Sequence, residues 1–482
     1  MQNFFLKRQY TNLSRPVKAG IWFTICNFLQ RGIQFLVVPI YTRLLTPEGY
    51  GYYSIFIAWM NIVAVVATLH MSSGIYYNGM FKYESEGKQY TSSILSLGSL
   101  TTIILFLLSS FLFPFIENFV GLPYMMIVMM FIAILFSQAL FFWAGQQRLQ
   151  YKYKTLIIVT ILSSVLAPFI ALFCIMKLGM GYEAVIYGYV LSTLLFGGFL
   201  FIKLLKEGKI IYNRDYWNYS LSLSIPLLPH YLSLIVLGQL SRIMVQFYCG
   251  PSMAGIYSLA YQVSLIMNLI ISGINSALTP WLYQNLKNKE YRKIKQTTTI
   301  LILSISSISI VAMFVSPEIV RILGTEEYLQ AVWIIPPILL STIVTFIYSI
   351  FGTILFYFEK TNLIAIATTS GAILNVILNM IFIPRYGFIA AAYTTLISYV
   401  TLYLMYRFFS IQTCKNSNID FVILFDLFKI RMALLILAII SLLSLAVFLL
   451  PFYLRYFLVL MIIILIYLNK SVVYKTIKNI KV

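Results

Sequence analysis

Within residues 20–40, an otherwise apolar stretch, Asn27, Arg31 and Gln34 follow at i, i+4 and i+7, and Gln30 lies beside them. As a helix this stretch is about 32 Å long, enough to cross a bilayer core, and its polar groups share one face. An arginine at that depth costs at least about 2.5–3.5 kcal/mol on insertion scales, so it belongs against protein or a water-filled cavity and not in lipid. The pattern predicts a helix that lines an aqueous cavity and offers it a positive charge.

The same chemistry returns at Gln239, Arg242 and Gln246, spaced i, i+3 and i+7 within residues 222–247. Arg242 stands about five residues from the end of its helix, so snorkelling to the interface or helix packing is the competing reading. Asn268, Ser272 and Asn275 form a further polar stripe, and Asn375 and Asn379 another. Such amides more often tie helices together than touch a ligand, which makes Asn268, Asn275, Asn375 and Asn379 secondary candidates for the cavity.

Groups suited to catalysis are missing from these stretches. All fourteen acidic residues fall in loops or at helix ends, which disfavours a proton or sodium relay built on a buried carboxylate. His70 and His230 stand apart in the sequence and read as structural. Cys26, Cys174, Cys249 and Cys414 are isolated, without the spacing of a metal site or a disulfide framework, and no Gly-rich phosphate loop supports ATP hydrolysis. The residues thus indicate no catalytic group, no metal, no cofactor and no enzyme.

The elements that carry these residues are membrane helices. Of 482 residues 61% are hydrophobic and only 10% charged, too few charges to cover a soluble protein of this size. The apolar runs are continuous over about 20 residues and do not alternate, which excludes a β-barrel. They fall near 19–41, 53–76, 93–115, 124–146, 156–177, 184–205, 222–247, 254–280, 298–316, 332–358, 362–383, 388–408, 430–450 and 454–470, predicting an all-α polytopic membrane protein of about fourteen helices. No small-residue cleavage site follows the first run, so it is expected to stay as an anchor.

Loop charge tests that count. With both termini in the cytoplasm, outer loops hold only Arg43, Lys177, Arg321, Arg385 and Arg455 of the 34 lysines and arginines. Arg31 and Arg242 lie within helices, and the remaining 27 are on the inner side, a strong positive-inside bias. The net charge of +20 therefore reads as topology and not as affinity for nucleic acid. No loop is long enough to fold as a soluble domain, while 4–13 and 421–429 are short amphipathic stretches suited to the inner interface.

An internal repeat organises the chain. Pro47, Gly51, Tyr53 and Ser54 return as Pro251, Gly255, Tyr257 and Ser258; Pro114 and Gly121 as Pro317 and Gly324; Gly181, Ala184 and Tyr187 as Gly387, Ala390 and Tyr393. The near-constant offset predicts two six-helix lobes of the same orientation, 1–212 and 213–410, followed by two extra helices and a basic cytoplasmic tail in 411–482.

Arg43, Pro47, Glu48, Gly49 and Gly51 after the first helix, the echoes at 255–258 and 387–393, and the basic loop 147–154 resemble the bacterial oligosaccharide flippases of the multidrug/oligosaccharidyl-lipid/polysaccharide exporter superfamily. The resemblance runs across nearly the whole chain. It implies two lobes around a central cavity with alternating access, and accessory helices that guide a lipid tail. The cargo would be a polyprenyl-diphosphate-linked oligosaccharide, an O-antigen or capsule repeat unit, carried across the bacterial inner membrane among membrane lipids. A polysaccharide polymerase and chain-length machinery would be its partners. Arg31 and Arg242 would hold the diphosphate, for which a guanidinium fork is well suited. The alternative is another exporter of the superfamily, for a drug or a peptidoglycan precursor. A membrane-embedded polymerase ranks below both, because it would need a larger loop bearing acidic or histidine clusters.

Overall fold

The computed structural model describes residues 15–448 apart from 73, together with 453, 455–457 and 460. The first half comprises α1 (Arg15–Leu44), α2 (Pro47–Ala67), α3 (Gly74–Lys82), α4 (Gly87–Val120), α5 (Tyr124–Leu149), α6 (Tyr153–Leu178) and α7 (Glu183–Gly208). The second comprises α8 (Arg214–Cys249), α9 (Pro251–Lys287), α10 (Tyr291–Phe314), the short α11 (Ser316–Leu323), α12 (Ile335–Tyr357), α13 (Thr361–Tyr386) and α14 (Phe388–Asn416). The four-residue α15 (Phe421–Leu424) and α16 (Leu427–Val447) follow. Among the described residues thirteen helices are long and apolar enough to cross a membrane, one for each of the first thirteen segments anticipated from sequence. The stretch 4–13 and nearly all of 454–470 lie outside the described residues.

The chain divides into two compact units at Ile235 and Val236, inside α8. The early part of α8 is tied to the first unit, which explains why the division falls after residue 213: Tyr90 Oη and Ser220 Oγ are 2.9 Å apart, and the Trp217 indole donates to Ser93 at 3.1 Å. Both units are built alike. Pro47 and Pro251 each open a helix at its first position, and Gly87 and Tyr291 open the next long one at the same 204-residue spacing. In the first unit α7 packs along α6 and α5; in the second, α14 packs along α13 and α12. Glycine makes the first of these seams: a Cβ at Gly188 would strike the Ala167 carbonyl and the Ala171 backbone, and one at Gly197 the Phe136 carbonyl. Close backbone approach of this kind is how apolar helices associate where solvent supplies no hydrophobic drive.

The second echo read from sequence does not survive as structure. Pro114 lies inside α4 and Gly121 ends that helix in the left-handed region (φ 62°), whereas Pro317 opens α11 and Gly324 is extended. The second unit inserts α11 and a 3₁₀ stretch, Glu326–Trp333, where the first turns directly into α5. Arg455 pairs there with Glu318 at 3.0 Å, both side chains largely buried.

The anticipated segment 53–76 is also broken. α2 ends at Ala67, and Leu69 and His70 adopt left-handed backbone (φ 51° and 48°) before α3 begins. Thr101, near the middle of the 34-residue α4, donates its hydroxyl to the Ala67 carbonyl at 2.6 Å, and the Thr102 hydroxyl, shared with the Gly98 carbonyl at 2.6 Å, lies 3.2 Å from it. Ser224 of α8 donates to the Leu69 carbonyl. Carbonyls freed at mid-bilayer depth cost several kcal/mol unless capped, and hydroxyls from neighbouring helices supply the caps.

Candidate functional site

The α1 stripe belongs to the first unit. One side of α1 packs on α6: Trp22 stacks on Tyr153 with centroids 6.1 Å apart, and Cys26 is buried beside Thr160. Asn27, Arg31 and Gln34 fall outside that contact and are exposed, with Gln30 half-buried at its edge. On a helical wheel the three lie within about 60° of one another. Thr24 is exposed as well, and elsewhere along residues 25–40 the exposed side chains are apolar: Ile25, Phe28, Leu29, Leu36 and Ile40. The free surface of α1 is thus split into a polar sector and a hydrocarbon sector. Among the described residues no ion pair or hydrogen bond engages Arg31, so its guanidinium is available to an anion.

Arg242 belongs to the second unit and does not snorkel. It is 7% exposed, with its guanidinium carbon 4.2 Å from the centroid of the Tyr261 ring and Nη1 donating to Gln239 at 3.4 Å. Its buried Nε has no hydrogen-bond partner among the described residues. Gln246, one turn further on, is half-buried.

The asparagines separate by role. Asn375 and Asn379 are fully buried and tie helices together: Asn379 Nδ2 donates to Ser241 Oγ at 3.1 Å and to Asn375 Oδ1 at 3.0 Å, and Thr394 donates to Asn379 Oδ1. Asn275 donates to Ser349 at 3.2 Å, linking α9 to α12. Asn268 instead lines a recess of about 370 Å³, its mouth included, within the second unit. Tyr257, Tyr261, Tyr399, Ser341, Thr342 and Thr345 share that wall.

Sequence reasoning missed two groupings. The recess draws its hydroxyls from α9, α12 and α14, and isolated serines and threonines in apolar helices give no signal of convergence. The two histidines, far apart in the chain, meet around one ring: the His70 centroid is 4.2 Å from that of Tyr231 and the His230 centroid 5.6 Å. Only the break after Ala67 brings His70 there.

All fourteen acidic residues lie at helix ends or in connections, as anticipated, and among the described residues no cluster of His, Cys, Asp and Glu is suited to a metal. Arg43 donates to the Pro39 carbonyl at 2.8 Å, closing the last turn of its own helix.

Comparison with known proteins supplies the lineage. The family described as "Polysaccharide biosynthesis protein" matches residues 17–286, and the MatE family matches 226–381. The Lsg locus putative protein 1 of Haemophilus influenzae is 30% identical over 162 residues, 33% of this chain and 40% of that protein's length. The probable low-salt glycan biosynthesis flippase Agl15 of Haloferax volcanii is 25% identical over 398 residues, covering 79% of this chain and 80% of its own. In fold, the chain is similar to the lipid II flippase MurJ in an inward closed conformation (TM-score 0.71, 19% identity, 94% and 98% coverage). It is also similar to an inward-facing MATE multidrug transporter (TM-score 0.62, 13% identity, 80% and 96% coverage). The family match over more than half of its length establishes that this chain belongs to the polysaccharide biosynthesis protein family, and its helical fold is the one seen in the MurJ and MATE structures.

Proposed function

We propose that the protein moves a polyprenyl-diphosphate-linked oligosaccharide from the cytoplasmic to the outer leaflet of a bacterial inner membrane by alternating access, with both termini cytoplasmic. The observation that carries this reading is the divided surface of α1. Its polar sector offers Arg31 between Asn27, Gln30 and Gln34, suited to a diphosphate and the first sugars. Its hydrocarbon sector suits a polyprenyl tail that stays in lipid.

The energetics favour such a division. Dragging a glycan through hydrocarbon strips many hydroxyls of water at several kcal/mol each, whereas a wet path beside lipid avoids that cost. A guanidinium binds phosphate in a fork and keeps its charge at any physiological pH. Arg242, with Gln239 and Gln246 along the same helix, is a second cation, held within the other unit. With the cytoplasm negative, each negative charge moved outward gains up to about 2.3 kcal/mol per 100 mV, so the membrane potential contributes to the drive.

The test is export in cells that depend on the surface glycan. Arg31→Ala at normal protein abundance is expected to lower export at least tenfold, with Arg31→Lys between it and wild type. Full export by Arg31→Ala refutes the assignment.

A further inference from the structure

The recess in the second unit has a hydrogen-bonding polarity that selects its occupant. Five of its wall residues are Ser or Thr, and four of them, Ser264, Ser341, Thr342 and Thr345, donate their one hydroxyl proton to a carbonyl of their own helix. Ser264 donates to Tyr261 O at 2.7 Å, Ser341 to Pro337 O at 2.8 Å and Thr342 to Ile338 O at 3.0 Å. Thr345 donates to Ser341 O at 2.9 Å, while Thr395 is engaged both by Ala391 O at 2.7 Å and by Ser241 Oγ at 2.9 Å. A hydroxyl has one donor and two lone pairs, so what these residues have left to offer is acceptor oxygen. An occupant that meets Ser264, Ser341, Thr342 and Thr345 therefore brings donors.

Two kinds of ligand do so: a cation, or a molecule rich in O–H groups. Charge decides between them. Among the described residues no carboxylate lines the recess, and the Arg242 guanidinium sits 4.2 Å from the centre of the Tyr261 ring that forms part of its wall. A second positive charge so close to a desolvated arginine is repelled. A polyol is not. Tyr257, Tyr261 and Tyr399 add phenolic hydroxyls and ring faces, and Asn268 adds an amide that both donates and accepts. Tyr399 is backed by Tyr348, its ring stacked at 6.3 Å, so that wall is held in place.

We propose that this recess is a sugar subsite, taking one monosaccharide residue of the transported glycan by its hydroxyl edge, with Arg242 acting as a positioning residue that holds the Tyr261 ring and excludes cations. The inference rests on the flippase reading above and adds a place where the head group is recognised apart from the diphosphate. Selectivity among glycans then resides partly in Ser341, Thr342 and Thr345, residues remote in sequence from Arg31.

The test uses the full-length protein in nanodiscs and two probes: undecaprenyl diphosphate, and the same lipid carrying one hexose. Wild type is expected to bind the hexosylated lipid at least fivefold more tightly. Ser341→Ala with Thr342→Val is expected to bring that ratio to near one while the Kd for the bare lipid stays within twofold. Thr342→Ser, which keeps the oxygen, retains the preference, and this separates recognition from misfolding. Equal Kd values in wild type, or a ratio that survives the double substitution, overturn the subsite and leave the diphosphate reading standing. Binding in wild type that requires sodium and is lost in the double variant, with no sugar preference, identifies a cation site and also overturns it. Arg31→Ala that binds both lipids as wild type does refutes the diphosphate reading alone, because the ratio still reports the subsite.

Discussion

The guanidinium of Arg242 lies over the ring of Tyr261 at 4.2 Å, one helix to the next, with the arginine 7% exposed. A desolvated cation on an aromatic face contributes about 0.5–2 kcal/mol. We therefore expect a double-mutant cycle of Arg242→Leu and Tyr261→Leu to show a coupling near 1–2 kcal/mol in reversible unfolding. A coupling indistinguishable from zero would remove the arginine from its positioning role.

The pair Glu318–Arg455 makes a sterner prediction for stability. Arg455 has only 8% of its side chain exposed and Glu318 18%. Removing one partner of a buried pair leaves an uncompensated charge and costs about 3–5 kcal/mol. Glu318→Gln should lower the melting temperature clearly, and Arg455→Met combined with it should restore most of the loss. Melting curves in detergent decide the matter, since a double variant no better than the single one contradicts the pairing.

At Gly188 the neighbours are backbone atoms, which cannot rotate out of the way. Gly188→Val should separate α7 from α6 and cost about 1–3 kcal/mol through overpacking. Gly238, whose nearest neighbour to an added Cβ is the Tyr261 hydroxyl at 4.0 Å, provides the contrast: Gly238→Ala is expected to leave folded yield unchanged. Equal yields for both variants would show that the seam is looser than described.

The capped carbonyls after α2 predict a local effect. Thr101→Val with Thr102→Val leaves the Ala67 carbonyl without either hydroxyl, and buried membrane hydrogen bonds of this kind are worth about 0.6–1.7 kcal/mol. Hydrogen exchange should quicken at residues 67–72 and stay unchanged in α5. Uniform exchange across the two stretches would mean that the caps contribute nothing.

A last prediction concerns the driving force. Vesicles clamped at zero potential should translocate the lipid-linked glycan more slowly than vesicles held negative inside, from the face that corresponds to the cytoplasm. Identical rates would rule out the potential as a contributor.

Much of this molecule was legible before its coordinates, for a physical reason. Hydrocarbon forces each crossing to satisfy its own backbone, so long apolar runs announce helices, and positive loops announce their order. Fourteen segments are read this way, thirteen of which are helices among the described residues, and Pro47 and Pro251 mark the repeat because proline suits the first helical turn. The apolar signal was blind to the interruption after Ala67, since Thr68 and His70 are single polar residues in a run that Leu69 and Met71 keep apolar, and the caps come from α4 and α8. For the same reason the polar stripe on α1 could be read within one helix, while the recess could not. Asn268 was visible as a candidate, but Ser341, Thr342 and Thr395 acquire meaning only when three helices meet.

The interruption between α2 and α3 has a counterpart that is whole: α9 runs unbroken for 37 residues from Pro251, the repeat partner of Pro47. One half of the molecule thus breaks its helix where its twin continues as far as Lys287, with Pro280 inside it. In the first half Leu69 and His70 are held in a conformation that chains of L-amino acids resist. The pseudo-symmetry of the sequence conceals a local asymmetry: the first half spends two strained residues and borrowed hydroxyl caps where the second keeps its helix continuous.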